Sequence, residues 1–341
     1  MKKPGRIAVW AFISLAFQLL LLAFIDRVYL PGRVSDVEIV KYAEIGGQKS
    51  GGKVKLPEGA QHVALSFDAS YASYILGDEL VIVDVAGGEE EMVLQEGFVP
   101  DFYKWLPDRN MLIYSTRKKG DVRGDIYVET YDADSGVVRD YPEISGLPEG
   151  SKVVDIQLST LTNLVYVKVA AGPARAEIYC YNIMEELSHV MAVSPDTDMH
   201  LLNYSDILLY QRNGSDIFVR YNSKGEEREL DLGNSMILGV DVEDVVYLGE
   251  RDQNGNVERI KYGTLQEIQE GKFSYAELII PCSTEHICIA QDGSIYLNER
   301  DKRMLHELKG EIAMEYRGKY VGVFGKYLVT MDNDVLYIEI V

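Results

Sequence analysis

The residues able to do chemistry in this chain are five histidines, three cysteines and a large excess of carboxylates. The histidines, His62, His189, His200, His286 and His306, are far apart, and no neighbouring serine or carboxylate completes a nucleophile and base pair with any of them. They read as surface or rim residues. Ser115-Thr116-Arg117-Lys118 matches a bare Ser-x-x-Lys, but it follows a strand pattern and reads as hairpin, not as the start of a helix. No Gly-x-Ser-x-Gly elbow, His-Glu-x-x-His, phosphate loop or dinucleotide fingerprint is present. Cys282, His286 and Cys288 lack the short ligand spacing and the fourth ligand of a zinc site, and Cys180 reads as a small buried thiol on a strand. Asp132-Ala133-Asp134-Ser135-Gly136 and Asp252-Gln253-Asn254-Gly255-Asn256 resemble calcium loops. Their glycines fall at positions five and four instead of six, so both read as turns. No catalytic residue, metal ligand or cofactor is assigned from the sequence. The chemistry left open is acid/base work by two carboxylates about 5 to 10 Å apart, for which the sequence singles out no pair.

Charge narrows the partners. Beyond residue 33 there are 29 basic against 53 acidic residues, a net of −24, which repels nucleic acid and anionic lipid. The plain reading of this acidity is solubility, and the sharper one is attraction of cations or of a basic partner.

Stepping from these residues to the elements that carry them, the chain opens with Lys2, Lys3 and Arg6, then nineteen uncharged residues from Ile7 to Ile25. At about 1.5 Å per helical residue this run spans a bilayer core. The flanking positive charge predicts a cytoplasmic segment 1–6, a transmembrane helix 7–25, a linker 26–35 broken by Pro31-Gly32, and an extracytoplasmic domain 36–341. The rival reading is a cleaved signal peptide. It fits less well because the run is long and ends Ala23-Phe24-Ile25-Asp26-Arg27, without a small-x-small site.

Beyond Pro31 the pattern is that of strands. Tyr74, Tyr114, Tyr166, Tyr210, Tyr247 and Tyr296 recur in short apolar runs at intervals of 37 to 52 residues, about 44 on average. After each comes a polar turn and an alternating strand: ELVIVD, DIYVETYD, EIYCYN, DIFVRYN, NVERIKY and RMLHEL, with a fainter seventh copy in KYLVTMDNDVLYIEI. The period predicts an all-β propeller of four-stranded blades. The count gives seven, with six as the alternative because the last two units are short.

The unit Tyr103-Lys104-Trp105-Leu106-Pro107-Asp108-Arg109-Asn110, with MLIYST and DIYVETYDADSG after it, resembles the TolB-like and dipeptidyl-peptidase-like propeller repeats. It departs from them at Leu106, Arg109 and Asn110; Ser66-Phe67-Asp68 and Ala290-Gln291-Asp292-Gly293 are weaker echoes. The resemblance implies architecture and no activity. The hydrolase domain that follows the propeller in dipeptidyl peptidases has no counterpart before Val341. In the Pro107-Asp108 turn, proline fixes φ and the aspartate is expected to bond back to the backbone.

A propeller has to close on itself, because open first and last blades would leave exposed edges. Val37–Tyr42 (VEIVKY) is the segment expected to close it, as the outer strand beside VLYIEIV. Together these features predict a membrane-anchored, non-catalytic binding or scaffold module for an extracytoplasmic protein, peptide or glycan. The alternative is a membrane-tethered hydrolase or lyase using carboxylates in the propeller funnel.

Overall fold

The computed structural model describes Gln18 and residues 52–341, apart from 95, 123, 213, 215, 223 and 311. The expected span 7–25 and linker 26–35 lie outside the described residues but for Gln18. Among the described residues no helix is long and apolar enough to cross a membrane.

Among the described residues, twenty-eight strands form seven sheets of four. Blade 1 holds β2 (Gln61–Leu65), β3 (Tyr71–Leu76), β4 (Glu79–Asp84) and β5 (Glu90–Met92). Blade 2 holds β6 (Phe98–Trp105), β7 (Met111–Lys118), β8 (Tyr127–Asp132) and β9 (Val137–Asp140). Blade 3 holds β10 (Lys152–Ser159), β11 (Leu164–Ala170), β12 (Ala176–Tyr181) and β13 (Leu187–Val193). Blade 4 holds β14 (Asp198–Leu201), β15 (Ile207–Arg212), β16 (Asp216–Tyr221) and β17 (Glu226–Leu230). Blade 5 holds β18 (Ser235–Val240), β19 (Val245–Arg251), β20 (Val257–Thr264) and β21 (Ser274–Cys282), with a short helix α1 (Leu265–Gln269) between the last two. Blade 6 holds β22 (Ile287–Ile289), β23 (Ile295–Glu299), β24 (Met304–Glu307) and β25 (Ile312–Glu315).

Blade 7 is made from both ends of this region. It runs β26 (Lys319–Phe324), β27 (Tyr327–Asp332) and β28 (Val335–Ile340), and its fourth strand is β1 (Lys53–Lys55), antiparallel to β28 with Val54 opposite Leu336. The Leu56 amide donates to the Asp334 carbonyl at 2.8 Å and the Ile338 amide to the Gly52 carbonyl at 2.9 Å. The position assigned from sequence to Val37–Tyr42 is therefore held by Lys53–Lys55, and residues 37–42 lie outside the described residues. KVK is the segment that fits: it sits a few residues before blade 1, and its one apolar side chain, Val54, turns inward while both lysines face solvent. The count of seven stands.

The repeated tyrosines are on the second strand of blades 1 to 6 and are buried. They belong to the seams between blades, where seven apolar clusters are found, one per seam. Polar staples cross the same seams. Trp105 Nε1 donates to Ser73 Oγ at 2.8 Å, Gln211 Nε2 to the Ser235 carbonyl at 3.0 Å, and the Tyr247 hydroxyl to the Gly293 carbonyl at 3.1 Å. The first two satisfy groups that burial would otherwise leave unpaired, and the Tyr247 hydroxyl also lies 2.9 Å from Asp241 Oδ2. At the β6–β7 turn Asp108 pairs with Arg109 at 2.7 Å. The expected backbone bond is made by Asp68 and Asp292 instead, which accept from the amides of Ser70 and Ser294.

Candidate functional site

The first strand of each sheet lies on the axis, and five of the seven are irregular there. Pairing with the second strand shifts between Gln61 and Ala64, Pro100 and Phe102, Val153 and Asp155, Ile237 and Gly239, and Tyr320 and Gly322. A bulge at this point re-aims the residues that follow it. Gly239 shows how tightly the result packs: a Cβ there would lie 3.3 Å from Ile289 Cβ of the next blade.

Register against the tyrosine repeat picks out one inner-strand residue in each of six blades. The tyrosines of blades 1, 2 and 4 pack toward the preceding blade and those of blades 3, 5 and 6 toward the following one, so these residues do not all face the same way. The six are Ala64, Lys104, Leu158, His200, Val240 and Ile289, opposite Ser73, Ile113, Val165, Leu209, Val246 and Ile295. All six retain solvent access although they sit on innermost strands, and Leu158 has it in part at a cleft between blades 2 and 3 that Ile113 and Val165 also line. Four are apolar. Lys104 and His200 are not, and they flank blade 3, whose inner strand adds Asp155 and Gln157.

Gln157 Nε2 donates to both carboxylate oxygens of Asp155, at 3.0 and 3.1 Å. Lys168, opposite Asp155, is committed elsewhere: its Nζ donates to the carbonyl of Thr197 at 2.6 Å and of Pro195 at 3.2 Å. Lys104 has no hydrogen-bond partner among the described residues and senses Asp155 through the channel without a direct ion pair.

Enclosure by protein sets the protonation of this wall. It pulls the Lys104 ammonium below its ordinary value, with Asp155 opposing, and pushes the Asp155 carboxyl up, with Lys104, Gln157 and Lys168 opposing. His200 is pushed down to about 4, by desolvation first and by the Lys104 charge second, so it is neutral at pH 7. The wall thus offers one unpaired ammonium, one carboxylate held by an amide, and one neutral imidazole. Such a set recognises polar groups. It contains no nucleophile hydrogen-bonded to a base.

Asp101, on the blade 2 inner strand, is taken out of play by Arg117, whose Nε lies 2.7 and 2.8 Å from its two oxygens. On the inner strands the carboxylates are Asp101, Asp155 and Asp198. The first two have cations beside them, so they do not form the cation-free pair that an acid/base site would use.

Of the residues weighed in the sequence, only His200 joins this wall. His189 Nε2 lies 2.7 Å from Glu177, His286 Nδ1 lies 2.9 Å from the Asn298 carbonyl, and His306 lies 3.7 Å from Glu299. Ser115 to Lys118 is the second half of β7, not a hairpin, and Ser115 is buried. Asp132 and Asp252 fold their loops by accepting backbone amides two to four residues on. No group of three or more metal-binding side chains occurs among the described residues. Lys104, Asp155 and Gln157 escaped sequence reading because alternation on an inner strand looks the same whether a side chain meets a neighbouring blade or the channel.

No protein-family model matches the chain. No curated protein matches it either. Solved structures do. The β-propeller domain of Cps50 (Swd1) from Myceliophteria thermophila aligns with a TM-score of 0.57 at 11% identity, covering 85% of this chain and 99% of that one. Oligogalacturonate lyase from Vibrio parahaemolyticus aligns with a TM-score of 0.56 at 8% identity, covering 85% and 97%. At such identities the likeness is one of fold: an all-β propeller shared by proteins of unlike activity.

Proposed function

We propose that this chain is a non-catalytic binding module, tethered to a membrane by residues 7–25, whose axial channel receives part of an extracytoplasmic protein, peptide or glycan. The observation that carries the reading is the one-sided channel. Lys104, Asp155, Gln157 and His200 gather on blades 2 to 4, while the inner-strand residues picked out on blades 1, 5 and 6 are Ala64, Val240 and Ile289. A ligand entering there meets hydrogen-bonding and charged groups along one side and apolar surface along the other, the arrangement that orients a ligand within a pocket. Lys104 is exposed and makes no hydrogen bond among the described residues, so its ammonium is free to meet an acidic or carbonyl group of a ligand.

The test is binding of the purified full-length chain to arrays of peptides and of acidic and neutral glycans, repeated with K104M/D155N/H200N. Loss of at least about tenfold in affinity for the selected ligand is expected. Undiminished binding by a well-folded triple variant would remove the channel from the reading. Topology is tested separately, by adding protease to intact cells: residues 60–341 should be shaved, and their protection would refute the extracytoplasmic placement. The hydrolase or lyase reading draws on the lyase neighbour through fold alone, and the cations beside Asp101 and Asp155 weigh against it.

A further inference from the structure

A second feature lies where blades 2 and 3 meet, at the end of the ring that carries the β6–β7, β10–β11 and β12–β13 turns. Ile113, Thr130 and Arg139 are opposite one another across β7, β8 and β9, and Leu158, Val165 and Tyr181 across β10, β11 and β12, so two rows face each other over the seam. Toward this end the rows part into a cleft of about 230 Å³, floored by Leu106, Met111, Ile113, Leu158 and Val165.

Beside this hole stand apolar knobs. Ile183 is 69% exposed and Met184 76%, both at the tip of the β12–β13 turn, and Leu161, on the neighbouring β10–β11 turn, is 58% exposed. The tip is held firmly: Asn182 Oδ1 accepts from the amides of Met184 and Glu186 at 2.9 and 3.0 Å, and Asn182 Nδ2 donates to Glu186 Oε2 at 2.8 Å. Large apolar side chains displayed together on so fixed a turn are the mark of a contact surface. Inside the cleft, Thr130 is 7% exposed, and its hydroxyl has no hydrogen-bond partner among the described residues. A group buried to that extent and left unpaired asks for a partner from outside. Four charged residues line the cleft, Arg109, Arg139, Asp140 and Glu185, two of each sign. Arg109 is paired with Asp108, and Asp140 lies against Glu129. Arg139 and Glu185, on different blades, form no ion pair with each other or with any other described residue. Both act on the Tyr141 hydroxyl, which burial and Glu185 push up and Arg139 pulls down.

We propose that this end of the seam between blades 2 and 3 is a contact between two copies of the chain related by a two-fold axis. Met184 of each copy enters the cleft of the other, Thr130 Oγ1 donates to a carbonyl of the entering turn, and Arg139 of each copy pairs with Glu185 of the other. A two-fold contact needs a patch complementary to itself. Here a knob stands beside a hole, and an unpaired cation beside an unpaired carboxylate, within one patch. A partner of different sequence would require no such pairing of features on one side. Charge favours the same occupant. Beyond residue 33 the chain has a net of −24, so two copies repel over most of their surfaces, and a cleft whose charges balance is where they can meet. The contact does not rest on the channel reading given above.

Sedimentation equilibrium of the full-length chain in density-matched detergent tests it. The wild-type chain should dimerise at micromolar concentration. M184D, which carries a carboxylate into the apolar cleft, should weaken the dimer by about a hundredfold. R139E and E185R each set like charges opposite one another twice in the dimer, and each should weaken it by about tenfold or more. T130V should weaken it by a few-fold. An equimolar mixture of R139E and E185R should dimerise as the wild type does, because each cross pair then joins an arginine to a glutamate. Melting temperatures confirm that the variants fold. A wild-type chain that stays monomeric would overturn the proposal, and so would a dimer indifferent to M184D and R139E, as association through residues 7–25 alone would be. Recovery in the double variant R139E/E185R without recovery in the mixture would place the pair within one chain and overturn it too.

Discussion

Blades 2 and 4 differ from blades 5 and 6 at the inner-strand residue paired beside the repeated tyrosine, which faces the following blade in the first two and the preceding blade in the other two. Lys104 and His200 hold it in the first pair and Val240 and Ile289 in the second, opposite apolar residues of the second strand in every case. Surrounding protein lowers the values of both groups; Lys104 stays exposed, whereas the partly buried His200 opposes stability once acid protonates it. The apolar side shows the cheaper solution, with Ile289 packed against the backbone of Gly239. The contrast separates what holds the ring together from what the ring presents.

The largest expected effect comes from removing what both walls share. A chain beginning at residue 57 loses Val54 and Leu56, both buried in the seam between blades 7 and 1, together with the pairing to β28. Its urea midpoint should fall by an amount corresponding to more than about 4 kcal/mol, or its cooperative transition should vanish. An unaltered midpoint would mean that closure through Lys53–Lys55 is dispensable.

Next, I289K moves the charge of blade 2 to the apolar wall and should lower stability by about 2 to 4 kcal/mol. If it were tolerated as well as the wild-type residue, the two walls would not differ energetically.

Acid separates the walls as well. His200 titrates at about 4 in the folded chain against 6.5 ordinarily. Between those values the unfolded chain binds a proton that the folded chain refuses, so stability present above pH 6.5 is lost progressively as pH falls toward 4. The loss is at most about 3 kcal/mol, and nearer about 1 to 2 because His200 is only partly buried. Urea unfolding at pH 7 and 4.5 reads it. H200N should flatten this part of the profile, and an unchanged slope would contradict the assigned environment. The smallest effect belongs to K104M: stability should change by less than about 1 kcal/mol or rise, while the His200 pKa, followed by NMR, should move up for want of the neighbouring charge.

Much of the architecture was legible in the residues. Tyr74, Tyr114, Tyr166, Tyr210, Tyr247 and Tyr296 mark the second strand of six blades because each large ring fills a seam, and the strands ELVIVD to RMLHEL are the third strands that follow them. The need for closure was legible too, yet the segment was not. Val37–Tyr42 has stronger strand propensity than KVK, but β28 pairs with the residues that sit just ahead of blade 1. Propensity is local, whereas closure depends on where the chain re-enters the ring.

The sites were less legible. Lys104, Asp155 and His200 are separated by some fifty residues each. By itself the sequence determined the fold class, the blade period and the acidity, because a burial pattern repeated along one chain and a count of charges require no partner to interpret. Which side chains face the channel, which meet across a seam, and which strand closes the ring were decided only in three dimensions. Bulges re-aim residues by one position, and the ring brings together residues that no local pattern connects.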